Sequence, residues 1–112
     1  AYNGPVDTIK PLLDMGAYFS FNAGQLKPNA KRLYELIQLV SDDRLLVETD
    51  APDFLPRPEL QEFELEAADC RTARNHPANI KAGYRAIAEV RGEALEEFAA
   101  KVALNFERYF GL

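Results

Sequence analysis

The side chains best suited to chemistry stand in Glu48-Thr49-Asp50-Ala51-Pro52. They follow Arg44-Leu45-Leu46-Val47, an apolar run without alternation, which is the pattern of a parallel strand covered on both faces. Functional groups collect where the strands of open α/β sheets and (β/α)8 barrels reach their carboxyl ends. A carboxylate held there can bind a hard or borderline cation through oxygen and leave a position open to water. Asp is also a common turn former, so Asp50 reads either as a metal ligand or as the cap of the turn that Pro52 fixes. Glu48 is expected on the opposite face of the strand from Asp50, in a structural hydrogen bond.

Other polar residues carry two readings each. His76 is the single histidine and precedes Pro77, so it is either a surface residue or a substrate-facing one. Asn22 closes the short aromatic run Ala17 to Phe21 and is either a turn former or a group facing the same cleft as Asp50. Asn105 lies among apolar helical residues and reads as a buried hydrogen-bonding group. Tyr18, Phe19 and Phe21 read as core. Cys70 is the only cysteine, which excludes an internal disulfide and a cysteine-built zinc site, and its acidic surroundings disfavour a thiolate.

These groups need elements to position them. Gly4-Pro5 breaks the chain before Val6, Ile9, Leu12, Leu13 and Met15, which recur at helical spacing up to Gly16, with Pro11 as a late start or a kink. Gly16 to Phe21 predicts a strand. Lys27-Pro28-Asn29 predicts the opening of a second helix, with Pro28 in its first turn and a stripe of Leu33, Leu36, Ile37 and Val40. Arg44 to Asp50 predicts the next strand, so strand, helix and strand make a right-handed βαβ unit with adjacent parallel strands. From Ala51 to Ala78 there is no sustained period, only prolines and the acidic residues Glu59, Glu62, Glu64, Glu66 and Asp69. Two helices finish the chain on either side of Gly92. Ile80, Tyr84, Ile87 and Ala88 point inward from the first, and Leu95, Phe98, Ala99, Val102, Phe106, Tyr109 and Phe110 from the second.

Composition bounds the rest. The 112 residues are 47% hydrophobic and 28% charged, which suits one small globular domain and excludes a disordered tail. Thirteen basic against 18 acidic side chains leave a net charge of −5, so the chain as a whole lacks the basic footprint of a protein that holds nucleic acid by charge alone. No run is long and apolar enough to span a membrane, and the lone cysteine fits a cytoplasmic setting. Two strands also leave open edges, which further strands or self-association must complete.

In this context the segments resemble the TatD family of metal-dependent deoxyribonucleases. Leu45 to Pro52 is similar to the family's strand ending in Glu-Thr-Asp-Ala-Pro, and Gly16 to Asn22 to the strand before it. Arg74-Asn75-His76-Pro77 resembles the Arg-Asn-Glu-Pro segment, with His76 in place of Glu. Asn105 to Gly111 resembles the closing Asn-x-x-Arg-Leu-Phe-Gly helix.

The resemblance implies a (β/α)8 barrel of roughly 250 residues, of which residues 1–112 are the C-terminal portion, with the last two strands and their helices, and the N-terminal portion absent. It implies hydrolysis of phosphodiester bonds, with DNA as substrate and one or two divalent metal ions as cofactors. Asp50 would be a metal ligand and the base toward the attacking water. The family's His-x-His pair, its Glu and its further His ligands have no counterpart here. The motif His-x-aromatic-small-Gly matches Ala1-Tyr2-Asn3-Gly4 only after its His. The isolated 112 residues are therefore expected to be inactive, to bind metal poorly and to associate. The loop from Pro52 to Asn75 is longer than is usual in the family, and its acidic residues are expected to face solvent or a partner. Two rival readings are a hydrolase of the same fold acting on amides or esters, and a non-catalytic α/β interaction module.

Overall fold

The computed structural model describes residues 1–65 and 73–112. The expectations for Glu66, Asp69 and Cys70 lie outside the described residues. Two parallel strands, β1 (Phe19–Asn22) and β2 (Leu45–Glu48), pair in the register Phe19 with Leu45 through Asn22 with Glu48. They are joined through α2 (Lys31–Leu39), so the predicted βαβ unit is present. Before it stands α1 (Ile9–Asp14), and after it α3 (Ile80–Arg91) and α4 (Leu95–Phe110).

Each element starts and stops for local reasons. A single 3-10 turn, Val6–Thr8, precedes α1, so Pro11 falls in the first turn of the α-helix proper, where its missing N–H costs no bond. The α2 helix begins at Lys31, three residues after Pro28, so Pro28 sits in the preceding loop and not in the helix as predicted. Both final helices end on a left-handed glycine, Gly92 at φ 67° and Gly111 at φ 69°, a conformation that glycine adopts without steric cost.

In-register parallel pairing sends Phe19, Phe21, Leu45 and Val47 to one face of the sheet. That face carries the core: Phe21, Leu36, Ile37 and Ile87 are fully buried, with Phe98 and Val102 from α4 beside them. Full burial of each large side chain contributes about 1.5–3 kcal/mol. Gly83 on α3 is close to Val47, where an added Cβ would meet the valine at 3.4 Å, so this helix lies tight on the strand. The other face presents Ser20, Leu46 and Glu48, which are only half-buried. The reading of β2 as covered on both faces is thus corrected, because among the described residues the helices cover one face and no third strand pairs with the sheet.

The inward stripe assigned to α4 is corrected in the same way. Phe98 and Val102 are buried, but Phe106, Tyr109 and Phe110 are 48%, 55% and 58% exposed, and Leu95 is exposed too. Tyr109 lies edge-on to Tyr18 with centroids 5.1 Å apart, and Phe106 and Phe110 line a cleft with Leu46 and Glu48. Asn105, between the two halves, is buried as expected and donates to the carbonyls of Asp42 (2.7 Å) and Leu45 (2.9 Å), tying α4 to the start of β2.

The end of the sheet remote from Asp50 is held by charge. Arg91, in the last turn of α3, donates to the carbonyls of Ile37 (2.7 Å) and Val40 (2.8 Å), which closes the C-terminus of α2. Its guanidinium also pairs with Asp42 and Glu93, and Lys101 pairs with the same two carboxylates. The hydrogen bond from Lys101 is the main influence on Asp42 and holds its carboxyl below the usual range. Burial pushes Glu93 up, but bonds from Lys101 and Arg91 outweigh it and leave Glu93 low as well.

Carboxylates depressed in the folded state stabilise it above their unfolded pKa, and that stability is lost as pH falls through the folded pKa. Thermal unfolding should therefore hold steady through neutral pH and drop in acid, below about pH 4.5. Arg91→Ala should lower stability by about 1–3 kcal/mol at neutral pH and flatten the acid drop. An unchanged melting temperature with an unchanged acid limb would contradict this assignment.

Candidate active site

The chain leaves β2 through a turn whose backbone is unusual at two residues. Asp50 and Phe54 both have φ 51°, in the left-handed region, with a cis Ala51–Pro52 bond between them. Asp tolerates this region through its short polar side chain, whereas for Phe it is costly unless the surroundings enforce it. The turn is closed by the Asp53 N–H donating to the Asp50 carbonyl (2.9 Å) and by the Ala51 N–H donating to the Thr49 hydroxyl (3.3 Å).

Asn75 enforces the shape. Its side-chain amide is buried and donates to the Thr49 carbonyl (3.1 Å) and the Phe54 carbonyl (3.4 Å), and its backbone N–H donates to Pro52 (2.9 Å). One residue thus holds both ends and the middle of the turn that carries Asp50. Asn79 supports it from one helical turn further on, donating to the Asn75 side-chain oxygen (3.1 Å) while accepting from the N–H groups of Glu62 and Phe63. Buried amides with all these bonds satisfied specify one arrangement, because any other leaves a polar group unpaired.

Asn22 reaches Asp50 from the neighbouring strand. It is buried, its side-chain N–H donates to Asp50 Oδ2 at 3.0 Å, and its side-chain oxygen accepts from the Gln25 N–H at 3.1 Å. Gln25 completes a capping box by accepting from the Asn22 N–H at 3.1 Å, so Asn22 is a turn former that also touches Asp50, and it is buried and not part of the cleft wall. Among the described residues nothing hydrogen-bonds Asp50 Oδ1, and the residue is exposed. One oxygen is held and one is open.

Glu48 does not point away from Asp50 as expected. The two are two positions apart, and the pleat places such residues on one side. The Ser20 hydroxyl donates to the Glu48 carboxyl across the two strands. That bond is the structural hydrogen bond expected of Glu48, on a different face from the one expected. His76 is used elsewhere. Its Nδ1 accepts from the Ala78 N–H at 3.0 Å, capping the turn Pro77–Asn79, and its ring lies against Phe63 with centroids 5.7 Å apart.

Asp50 opens onto a cleft of about 700 Å³ whose wall includes Lys27, Asn29, Lys31, Arg32 and Phe54, and His76 is not part of that wall. Among the described residues no three His, Cys, Asp or Glu side chains come together to hold a metal. The donor set present therefore fits a divalent ion only as a single anionic oxygen ligand, with the remaining ligands to come from outside these residues. The sequence reading missed Asn75 and Asn79 as the pair that shapes the turn. The signals the sequence carries for them are the spacing of two asparagines four residues apart at a helix start and the place of Asn75 in Arg74-Asn75-His76-Pro77.

A parallel pair with helices on one face and a carboxylate at its carboxyl edge is an arrangement that (β/α)8 barrels and open α/β sheets share. The chain matches the family described as TatD related DNase over residues 1–111, and it belongs to that family. It is 36% identical over 104 residues to the metal-dependent hydrolase YcfH of Escherichia coli K12, covering 93% of this chain and 35% of that protein. It is 38% identical over 86 residues to the 3'-5' ssDNA/RNA exonuclease TatD of Erwinia amylovora, covering 73% of this chain and 29% of that protein. The crystal structure of a TatD family hydrolase from Entamoeba histolytica superimposes with a TM-score of 0.76 at 20% identity, over 95% of this chain and 39% of that one. The chain thus spans about a third of the length of the relatives it matches, and the fold class inferred from the sequence, a portion of a TIM-type barrel, is the one observed.

If Asn75 shapes the turn, Asn75→Ala should cost about 1–3 kcal/mol and speed hydrogen exchange at the Asp53 N–H, while the amides of α4 keep their protection. Exchange at Asp53 equal to that of the unaltered protein would remove the role.

Proposed function

We propose that this chain supplies a metal-binding carboxylate to a TatD-type hydrolase that cleaves phosphodiester bonds of DNA. The observation that carries the reading is the split state of Asp50, with Oδ2 held by Asn22 at 3.0 Å and Oδ1 uncommitted at the carboxyl end of β2. Relatives named as metal-dependent hydrolases and as a 3'-5' ssDNA/RNA exonuclease support the reaction class.

In this reading Asp50 would hold one of one or two divalent ions through its uncommitted oxygen. Such an ion, when bound, offsets phosphate charge and brings the pKa of a water down from about 15.7 toward neutrality. Asp50 also takes the proton as water oxygen bonds to phosphorus and the bond to the leaving oxygen breaks. Asn22 acts by position: its N–H keeps Oδ2 occupied, so the carboxylate offers its other oxygen outward. Asn75 acts one step further back by setting the turn. Glu48 belongs to the strand and not to the chemistry, and His76 has no part in it. The other ligands and the strands that close the sheet come from the rest of the full-length protein, in a cytoplasmic setting. No helix among the described residues is long and apolar enough to cross a membrane.

Asp50→Ala in the full-length protein should lower metal-dependent turnover of a DNA phosphodiester by about 10²–10⁴-fold, the range for loss of a positioned proton acceptor. Asn22→Ala should reduce it less and weaken metal binding. Near-normal metal-dependent turnover by Asp50→Ala would refute the assignment, and turnover of amides in place of phosphodiesters would move the protein to the amide-hydrolase reading.

A further inference from the structure

Asn22 and Gln25 close on each other through a ring of hydrogen bonds, and the ring has an outward arm at each end. The Asn22 side-chain oxygen accepts from the Gln25 N–H and the Gln25 side-chain oxygen accepts from the Asn22 N–H, both at 3.1 Å. One arm is the Asn22 side-chain N–H on Asp50 Oδ2 at 3.0 Å. The other is the Gln25 side-chain N–H, which donates to the carbonyl of Tyr2 at 3.1 Å. Tyr2 in turn donates its backbone N–H to the carbonyl of Ser20 in β1 (3.0 Å) and sets its ring edge-on against Phe19, with centroids 5.0 Å apart. Gln25 therefore joins the segment packed on β1 to the residue that holds Asp50.

Glutamine is the residue type that these two partners demand. A backbone N–H needs an acceptor and a carbonyl needs a donor, and a neutral primary amide offers both from one planar group. An ionised Glu could not donate to Tyr2, and Met could serve neither partner. The turn that carries Gln25 needs such fixing, because Ala23–Gln25 is a single 3-10 turn, too short to hold its own shape. Its other side is already set: Gly24 stands so close to the turn after β2 that an added Cβ would lie 2.4 Å from the Phe54 carbonyl. The short turn is thus seated against the Asp50 turn on one side and tied to Tyr2 on the other. With the Asn22 oxygen committed to the Gln25 N–H, the amide nitrogen is left to face Asp50, and a rotated amide would aim its oxygen at a carboxylate.

We propose that Gln25 is a positioning residue for the Asp50 carboxylate: its side chain ties the short turn to Tyr2 and so keeps the Asn22 amide on Oδ2 and the other oxygen of Asp50 free. The inference rests on the reading of Asp50 as a metal ligand and adds a residue that hydrogen-bonds Asn22 and not Asp50. Gln25 stands one bond behind the group that orients the ligand, where a substitution weakens metal binding without removing a ligand.

The test is metal affinity in a double-mutant cycle. Manganese(II) is titrated by calorimetry into metal-free full-length protein carrying Gln25→Met, Asn22→Ala, or both. Gln25→Met keeps the length of the side chain while removing both of its bonds, and it should weaken manganese binding by about 10-fold, the low end for loss of an outer partner. Because Gln25 acts through Asn22, adding Gln25→Met to Asn22→Ala should change the affinity by less than about 2-fold. Gln25→Asn, one methylene shorter and unable to span both partners, gives the same reading if Gln25→Met does not fold. In isotope-labelled metal-free protein the side-chain N–H signals of Asn22, assigned by their loss in Asn22→Ala, should shift in Gln25→Met. Arg91→Ala, which loosens the opposite end of the sheet, should leave both the affinity and these signals unchanged. The proposal is overturned if Gln25→Met binds manganese as the unaltered protein does, if the two substitutions add in full, if the Asn22 signals do not move, or if Arg91→Ala loses as much affinity. Undiminished affinity in Asp50→Ala would instead refute the ligand reading, whereas loss of the ion in Asp50→Ala beside its retention in Gln25→Met would refute the role of Gln25 alone.

Discussion

The site depends on one buried amide. Asn75 holds the carbonyls of Thr49 and Phe54 and, through its backbone, that of Pro52, so the turn leaving β2 has a single shape. Without it, two non-glycine residues would have to keep a left-handed backbone on local preference alone, which costs on the order of 1–3 kcal/mol each. With it, Asp50 and Phe54 both project from a rigid base. The hydrogen bond from Asn22 then decides which oxygen of Asp50 is free. The position of the Asp50 carboxyl is thus set by two neutral amides, Asn75 through the turn and Asn22 through Oδ2.

The remainder of the fold keeps the two strands from which these amides work in register. Asn22 can meet Asp50 only because β1 and β2 run parallel with Asn22 opposite Glu48. That pairing rests on Phe19, Phe21 and Leu45 packed against α2, α3 and α4, and on the anchors that Arg91 and Asn105 provide at the opposite end. Polar anchoring at one end and the reactive turn at the other is the usual division of labour in (β/α)8 barrels, where stability and function occupy opposite rims.

Much of this was legible before any coordinates. The limits of α3 and α4 follow from apolar spacing and from Gly92, and the strand that ends in Glu-Thr-Asp-Ala-Pro follows from its unbroken hydrophobic run. The family resemblance rests on the same segments. What was not legible depends on contacts between distant residues. Asn75 gains its role from carbonyls more than 20 residues away, which no local pattern encodes. The exposed end of α4 carries an apolar stripe identical in kind to a buried one, so only the absence of a covering strand among the described residues separates Phe106 and Phe110 from Phe98 and Val102. Pro28 fits a helix start by preference, and the loop that follows β1 places it outside.

The central claim is that Asn22 holds one oxygen of Asp50 so that the other binds metal. It is tested most directly by locating the metal through anomalous scattering in crystals of the full-length protein grown with a divalent transition ion. The account requires a peak about 2.0–2.2 Å from Asp50 Oδ1, with Oδ2 still bonded to Asn22. A metal bound at the barrel rim with Asp50 outside its coordination, or held through Oδ2 with the Asn22 bond broken, would contradict it.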